Sequence, residues 1–535
     1  MGMQWGMKLT SALIVAGLTL VSSAKASADS LTVETAQGKV RGKTINGGKV
    51  KAFLGLPYAA APVGDLRWRA PQPPSNWKGE RDATDFGAHC AQNRIWDDVI
   101  FRDAGPSEDC LFLNVYVPAD STERSKLPVM FWIHGGGYVA GASSEPRHDG
   151  DYLPTKGVVL VTINYRLGVF GFLATPDLAK EANGSAGNYG LMDMVAALQW
   201  VKANIRNFGG NPQNVTIFGE SAGSFAVSTL MASPEARGLF HKTIGESGSA
   251  LSDALPTDAL GAREKMDGAW VESLGVNSLQ ELRALPTDKI LDAVRNSGTD
   301  RFSPVVDGKL LTEPVETTYA AGRQAHVPLL AGWNRDESTA MAKGMTVDRW
   351  KAYAADQFKD RAEEFLKLYP GKTDDQASRS AADYGSDSFI GFGTWKWIEA
   401  HRKTGAPADR SSSVGSKTGG APVYRYHFEL AALPSKYHPD AAAFHSGEIE
   451  YVFGTLDTRP GGNWRRQDHM LSELMMSYWT NFARSGDPNG KGLPPWPTYG
   501  KNDELIHLDS TITSGPDTLR PRYEFLMKGM PAFHF

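Results

Sequence analysis

The sequence predicts an α/β fold, in which a central, mostly parallel, twisted sheet is covered by helices on both faces and carries helical insertions. Short apolar runs rich in β-branched and aromatic residues alternate along the chain with amphipathic helical patterns. Such alternation is typical of a parallel sheet with helices on both faces. Internal repeats of 20–50 residues are absent, which argues against a solenoid or a propeller.

The predicted strands are short apolar runs that alternate with helical patterns. Each strand therefore has a helix next to it in the sequence that can cover one face of the sheet. They are residues 111–117, 129–134, 158–164, 215–218, 242–244, 328–331 and 423–428. Between the third and fourth runs, apolar side chains recur at steps of three and four residues, from Met192 to Ile205. This period predicts a helix with one buried face. Gly209 and Gly210 predict its end.

Two stretches have the character of insertions. Residues 345–403 combine helical periodicity with many charges, and residues 405–420 are small, polar and rich in glycine and serine. The second stretch predicts a mobile surface loop. No linker divides the chain cleanly, so we predict one large elaborated domain over residues 29–535.

The N-terminus has the organisation of a secretory signal peptide. Lys8 precedes an apolar run at 9–21, and small residues follow at 22–28 with two overlapping A-x-A patterns. The run is short for a permanent membrane span. We therefore predict a signal peptide over residues 1–28, export to the periplasm or the medium, and no stable membrane anchor. The alternative is an uncleaved anchor or a buried helix.

Composition and charge exclude several functional classes. The chain has 535 residues, with 56 Lys and Arg against 60 Asp and Glu, for a net charge of −4. Nucleic-acid and polybasic membrane binders need a strong cationic excess. Two cysteines cannot build a cysteine-based metal site. Zincin, P-loop and dinucleotide motifs are absent, and the run from His148 to Asp151 is a polar turn in our interpretation. We predict no cofactor and no metal.

The segment Gly219-Glu-Ser-Ala-Gly223 predicts a nucleophile. It directly follows the apolar run NVTIF and precedes the helical pattern SFAVSTLMAS. A G-x-S-x-G pentapeptide occurs by chance in a chain of this size, so the strand–turn–helix context carries the prediction that Ser221 is the nucleophile. The near-repeat around Ser247 lacks the closing glycine, and we interpret Ser247 as a structural serine near the site.

The run His134-Gly-Gly-Gly137 follows another predicted strand. Tetrahedral intermediates need backbone N–H donors aimed at a developing oxyanion, and glycine lets the backbone come close. We predict that Gly136, Gly137 and Ala222 form this oxyanion hole. The alternative for the glycines is a flexible turn. His134 is interpreted as a packed loop residue because it precedes the serine in the chain.

Two longer segments now become recognisable. Residues 208–223 (FGGNPQNVTIFGESAG) and 108–118 (EDCLFLNVYVP) resemble the signature segments of type-B carboxylesterases, the family that also contains cholinesterases. The resemblance implies an α/β-hydrolase fold, ester hydrolysis through an acyl-enzyme and no metal. It also implies a disulfide at Cys110, for which Cys90 is the only possible partner. Export alone makes this bridge plausible, with two unrelated buried thiols as the alternative.

The same resemblance selects the other catalytic residues. Residues 443–454 are similar to the family's histidine segment, so His445 is the predicted base, with His438 and His469 as competitors. Residues 329–338 are similar to the segment of the acid, which implies Glu337, with Asp336 as the alternative. The family usually has glycine after this glutamate, whereas this chain has serine.

The predicted function is hydrolysis of a small-molecule carboxylic ester through an acyl-enzyme on Ser221, His445 and Glu337. We expect activity to fall below about pH 6.5, as the histidine becomes protonated. Two alternatives are hydrolysis of amides or carbamates at the same site and a non-catalytic binding role. Trp96 lies between the two cysteines, where some cholinesterases bind a quaternary ammonium, but it is as consistent with packing. The stretch 345–420 is expected to shape substrate entry.

Overall fold

The computed structural model describes residues 1–2, 31–298, 302–404, 421–500 and 502–531. The predicted signal peptide, apart from its first two residues, lies outside the described residues. The predicted loop at 405–420 also lies outside them. Within the described part, no helix has both the length and the apolar character needed to cross a membrane.

The described residues form eighteen strands and fifteen α-helices. The strands are β1 (Thr32–Thr35), β2 (Gly38–Arg41), β3 (Lys43–Ile45), β4 (Val50–Pro57), β5 (Glu80–Asp82), β6 (His89–Cys90), β7 (Pro106–Ser107), β8 (Phe112–Pro118), β9 (Leu127–Ile133), β10 (Val159–Ile163), β11 (Gly210–Glu220), β12 (Lys242–Glu246), β13 (Asp258–Ala259), β14 (Val305–Val306), β15 (Leu329–Asn334), β16 (Val423–Phe428), β17 (Glu504–Leu508) and β18 (Thr513–Pro516). The helices are α1 (Gly168–Phe172), α2 (Pro176–Glu181), α3 (Tyr189–Asn204), α4 (Ala222–Ala232), α5 (Leu260–Ser273), α6 (Leu279–Ala284), α7 (Thr287–Ser297), α8 (Val315–Ala320), α9 (Val347–Phe358), α10 (Ala362–Leu368), α11 (Asp374–Ser386), α12 (Phe392–Thr404), α13 (Ile449–Phe453), α14 (Arg466–Ser485) and α15 (Arg520–Leu526).

Eleven of these strands form one large sheet in the order β18-β17-β16-β15-β12-β11-β9-β10-β8-β4-β3. The neighbours from β10 to β17 are parallel. The outer strands β8, β4 and β3 at one side and β18 at the other pair antiparallel. The predicted mostly parallel sheet is therefore confirmed, with antiparallel strands at both edges.

The sheet has an apolar core on each face because side chains alternate along a strand. In β9, Val129, Phe131 and Ile133 belong to one buried cluster, whereas Met130 and Trp132 belong to the other. Helices α3, α4, α8 and α12 contribute to the first cluster, and α13 and α14 contribute to the second. Both faces are covered, as the sequence predicts.

The structure also confirms the individual elements near the site. The predicted strand at 215–218 lies within β11, which begins earlier, at Gly210, continues to Glu220 and has an irregular register before Val215. Helix α3 ends at Asn204, and a short 3₁₀ turn carries the chain to Gly209. Gly209 has a φ of 86°, a left-handed conformation that glycine adopts readily and that ends helices.

The stretch 345–403 connects β15 to β16 and is mostly helical, comprising α9 to α12. It is not a loosely attached appendage, because Trp350 and Trp397 are completely buried. Between α11 and α12 the chain makes a π-helical turn at Asp387–Gly391. Such turns are rare and often stand at functional sites.

The predicted disulfide is present. Cys90 in β6 is bonded to Cys110, just before β8, with a Cα–Cα distance of 4.9 Å. Both cysteines are buried. The bridge closes the loop that contains Trp96, whose side chain is 43% exposed. Trp96 is therefore only partly buried.

We expect replacement of both cysteines by serine to lower the free energy of unfolding. The bridge closes a loop of about 20 residues, and the chain-entropy model assigns such a loop roughly 3 kcal/mol. The measurement is chemical or thermal unfolding of the purified variant against wild type. Wild type treated with a reductant serves as a control and should resemble the variant. Equal stability of all three samples would contradict this expectation.

Candidate active site

The turn after β11 holds Ser221 in a strained conformation. Ser221 has a φ of 53° and a ψ of −126°, between the end of β11 and the first residue of α4. A Cβ at Gly219 would lie 2.6 Å from the Ile133 carbonyl oxygen, and a Cβ at Gly223 would lie 2.0 Å from the same oxygen. Only glycine fits at these two positions, which explains why the pentapeptide needs them.

Ser221 is the first member of a hydrogen-bonded chain of three side chains. Its Oγ lies 2.9 Å from His445 Nε2, and His445 Nδ1 lies 2.5 Å from Glu337 Oε2. The other carboxylate oxygen of Glu337 accepts the backbone N–H of Asn334 at 2.6 Å. The structure thus brings together the predicted nucleophile, base and acid, which lie far apart in the sequence.

The competing candidates lie elsewhere. Asp336 bonds to Arg335 and Arg379 and accepts the Ala443 N–H, so it anchors the turn beside the histidine segment. His438 stacks on the Phe444 ring at 3.8 Å. His469 is exposed on α14.

The glycine loop that carries Gly136 and Gly137 approaches the serine turn, and Ala222 directly follows Ser221 as the first residue of α4. A Cβ at Gly135 would meet Ser221 Cβ at 3.0 Å, which shows how closely this loop approaches the turn. Gly136 and Gly137 have φ values of 95° and 62°. Within the described residues, the N–H groups of Gly136, Gly137 and Ala222 donate to no other protein atom. They are therefore available to an anion.

Two residues that the sequence analysis assigns structural roles are buried near the site. His134 stacks on Tyr165 with ring centroids 4.4 Å apart, and burial lowers the pKa of its imidazole to about 4. Ser247 has a φ of 54° and donates its hydroxyl to Glu448 at 3.3 Å. Neither residue bonds to His445 among the described contacts, in agreement with both interpretations.

Several buried carboxyl groups lie at or near His445, and no sequence motif predicts them. Glu220 Oε1 lies 3.3 Å from His445 Nε2. Glu448 accepts a hydrogen bond from Asn334 Nδ2 at 2.5 Å, and Glu246 accepts one from Trp479 Nε1 at 2.8 Å. Burial raises the pKa of Glu220 to about 8 and that of Glu448 to about 7. Closeness in the sequence could have indicated two of these carboxyl groups, because Glu220 directly precedes Ser221 and Glu448 follows His445 by three residues.

These carboxyl groups determine the proton affinity of His445. Burial by itself lowers the pKa of the imidazole, but the carboxylates of Glu220 and Glu337 outweigh that effect and raise it to about 9. A protonated imidazole is stabilised when negative charge lies within a few ångströms. The onset of the base form therefore moves to a more alkaline pH than the 6.5 expected from the sequence.

An aromatic side chain from the helical connection also reaches the site. Phe389 lies in the π-helical turn, and its ring centroid is 5.2 Å from that of His445. No pattern in the sequence relates Phe389 to His445, because the contact depends on how α11 and α12 pack. Phe389 thus gives the site an apolar wall that the stretch 345–403 provides.

A small open cleft adjoins the histidine segment and is lined by residues that include His438 and Glu450. Arg147 lines this cleft and donates to the Ser446 carbonyl at 2.9 Å. Arg147 and Arg459 both pair with the buried Glu450. The charges of Arg147, Arg459 and Glu450 therefore compensate one another within the cleft.

Known proteins share this architecture. The sequence profile described as the carboxylesterase family matches residues 29–525. A fumonisin B1 esterase of Sphingopyxis macrogoltabida is 35% identical, covering 91% of this chain and 87% of that protein. The para-nitrobenzyl esterase of Bacillus subtilis is 35% identical over 93% of this chain and 99% of its own length. A solved carboxylesterase of Geobacillus stearothermophilus matches with a TM-score of 0.76 and 31% identity over 92% of this chain and 99% of its own.

The electrostatics of the site predict a direct effect of Glu220 on His445. We expect Glu220→Gln to lower the pKa of the His445 imidazole by roughly one unit or more, because it removes a nearby carboxylate. NMR titration of histidine-labelled protein measures this pKa, and His445→Gln assigns the signal. Glu123→Gln, at an exposed position, is the matched control and should leave the titration unchanged. An unshifted titration in Glu220→Gln would show that this carboxyl group does not control the imidazole.

Proposed function

Because the chain belongs to the carboxylesterase family, we propose that it hydrolyses small-molecule esters with Ser221 as nucleophile, His445 as base and Glu337 as acid. Membership makes it a serine carboxylic ester hydrolase. The observation that carries the assignment of residues is the chain of hydrogen bonds from Ser221 through His445 to Glu337.

The first step is attack on the ester carbonyl. Ser221 Oγ is a weak nucleophile until His445 Nε2, 2.9 Å away, accepts its proton. The carbonyl oxygen becomes an oxyanion, and the N–H groups of Gly136, Gly137 and Ala222 stabilise it. Each such donor is typically worth 10²–10³ in rate, because it is already in place when the charge develops.

The tetrahedral intermediate then collapses. His445 returns the proton to the leaving alcohol, and the acyl group stays on Ser221 as an ester. Water attacks this acyl-enzyme in the same way, with His445 again as the base, and the carboxylate product leaves. Glu337 orients the imidazole throughout, because its carboxylate accepts a hydrogen bond from the Nδ1–H group and favours the imidazolium that forms in each step.

Glu220 modifies the same step. Its carboxyl group lies beside His445 Nε2 and favours the protonated imidazole. This stabilises the intermediate, but it also keeps the resting base protonated to a higher pH. The rate should therefore rise as the pH approaches the raised pKa of His445, about 9, rather than reach its plateau near neutrality.

We propose a general carboxylic ester as the substrate, with a partly apolar acyl or alcohol group. The Phe389 ring beside His445 supports an apolar contact close to the reacting carbonyl. The relatives named above are esterases for fumonisin B1 and for para-nitrobenzyl esters. A non-catalytic role has no support, because Ser221, His445 and Glu337 are all present.

We also propose that the protein is exported and that residues 1–28 are removed. Two observations support this. The disulfide between Cys90 and Cys110 is of a kind that persists in oxidising compartments. The family profile begins at residue 29, directly after the predicted cleavage region. Residues 29–535 would then be one catalytic domain.

We expect Ser221→Ala to lower kcat by about 10⁴-fold or more, because the acyl-enzyme cannot form. The measurement is hydrolysis of p-nitrophenyl acetate, butyrate and decanoate by wild type and the variant, with a matched anilide to compare ester and amide turnover. Ser75→Ala, at an exposed serine, is the control and should keep wild-type activity.

A fluorophosphonate probe, which reacts covalently with an activated serine, tests whether Ser221 is the nucleophile. It should label wild type at Ser221, detected by mass spectrometry, and should leave Ser221→Ala unlabelled. Labelling elsewhere, or full activity of Ser221→Ala, would overturn the assignment of the nucleophile.

We expect Phe389→Ala to change acyl-chain preference. Loss of the ring enlarges the space beside His445, so kcat/KM for decanoate should rise relative to acetate by roughly tenfold. Phe389→Leu keeps most of the apolar volume and should resemble wild type. An unchanged ratio in Phe389→Ala would show that this ring does not contact the acyl chain.

A further inference from the structure

Two histidines and a glutamate meet near one edge of the sheet, on strands that the proposed mechanism does not use. His427 on β16 lies opposite His507 on the parallel strand β17. Opposite residues on paired strands project from the same face, and Glu429 stands two residues beyond His427 along the extended chain. The Glu429 N–H donates to the Leu508 carbonyl at 2.8 Å and so continues the strand pairing.

The three side chains converge on one point. Glu429 Oε1 lies 2.7 Å from His427 Nδ1 and 2.6 Å from His507 Nδ1. One possible ligand atom from each residue lies within 4.8 Å of the other two. The two imidazole rings are nearly perpendicular, at 86°.

We propose that His427, Glu429 and His507 form a binding site for a divalent transition metal ion, with Zn²⁺ as the best match. Two imidazole nitrogens and one carboxylate oxygen are donors that Zn²⁺ and the neighbouring late first-row ions accept. Ca²⁺ and Mg²⁺ prefer oxygen ligands alone. Three protein ligands leave a remaining position for water.

Charge and access both favour a cation here. Among the described residues, the ion-pair partners of Glu429 are the two histidines, and no lysine or arginine neutralises it. The side chains of His427, Glu429 and His507 are 9%, 25% and 26% exposed, so an ion can reach them from solvent.

Binding requires only a small rearrangement. The present separations are those of hydrogen bonds, whereas zinc bonds of about 2.0–2.1 Å in a tetrahedral site place ligand atoms about 3.3 Å apart. The cluster must therefore open by about 0.6 Å. For coordination, the proton on each Nδ1 moves to Nε2 of the same ring, and Nδ1 is then free to bind the ion. No net proton is gained or lost.

The ion would join β16 to β17 across a long sequence separation. We expect the ion to change the stability of the fold and not catalysis, because the hydrogen bonds of His445 connect it to Ser221 and Glu337 and not to this cluster. An ion that binds only the folded chain raises Tm by mass action. This site departs from the sequence expectation of no metal, since the residues do not form a local metal motif.

The test is calorimetric titration of Zn²⁺ into the full, tag-free, chelator-treated chain. We expect one ion per chain with a Kd below about 10 µM, and a Tm about 2–3 °C higher at saturation. Glu429→Gln and His507→Gln should each weaken binding by roughly 30-fold or more. His469→Gln, at an exposed histidine outside the cluster, should bind like wild type, and esterase turnover should be unchanged in wild type with Zn²⁺.

Two results would overturn the proposal. One is an absence of wild-type binding up to about 0.1 mM Zn²⁺, and the other is wild-type affinity in both cluster variants. If circular dichroism shows that the variants do not fold, the ligands of the ion are identified instead in wild type loaded with Co²⁺. Its X-ray absorption spectrum should contain two imidazole ligands, and a spectrum without them would also reject the site.

Discussion

The candidate site depends on how closely the backbone approaches itself where β11 ends. The Ile133 carbonyl of β9 occupies the space that a Cβ at Gly219 or Gly223 would need. Glycine at both positions permits this contact, and the contact leaves Ser221 at a φ of 53° above the sheet edge. Strand β9 ends at Ile133 and continues directly into the glycine loop. One strand therefore both constrains the serine turn and positions the amide groups beside it.

The second organising feature is the burial of several carboxyl groups around one imidazole. Charged groups are costly to bury, so burial raises the pKa of Glu220 and Glu448, whereas the carboxylates of Glu220 and Glu337 raise the pKa of the His445 imidazole to about 9. In such a site the negative charges that stabilise the imidazolium formed during attack are in place before the reaction begins. The same electrostatics delay the appearance of the free base as the pH rises. Stabilisation of the intermediate and availability of the base therefore oppose each other.

The connection between β15 and β16 links stability to the site. It buries Trp350 in the core and carries Phe389 to the edge of the His445 ring. The stretch 345–403 has the sequence character of an insertion, but it is part of the packed fold, because its helices supply part of the core on one face of the sheet. Substitution at Phe389 tests its role in substrate entry, whereas deletion of the connection would remove buried tryptophans. Strand β16, which follows it, also carries His427.

The sequence alone determined seven of the eleven strands in the large sheet, the alternation of strands with helices, the disulfide partners and the nucleophile turn, whereas β3, β4, β17 and β18 were not predicted. These features are local or have few alternatives: alternating apolar patterns predict strands, and a glycine turn after a strand has few conformations. His445 and Glu337 required a family resemblance, since nothing local distinguishes them from His438 or Asp336. Only the tertiary structure decided the surroundings of these residues. The contact of Glu220 with His445, the Phe389 ring and the convergence of His427 with His507 arise from packing between distant segments, which leaves no periodic or local signal in the sequence.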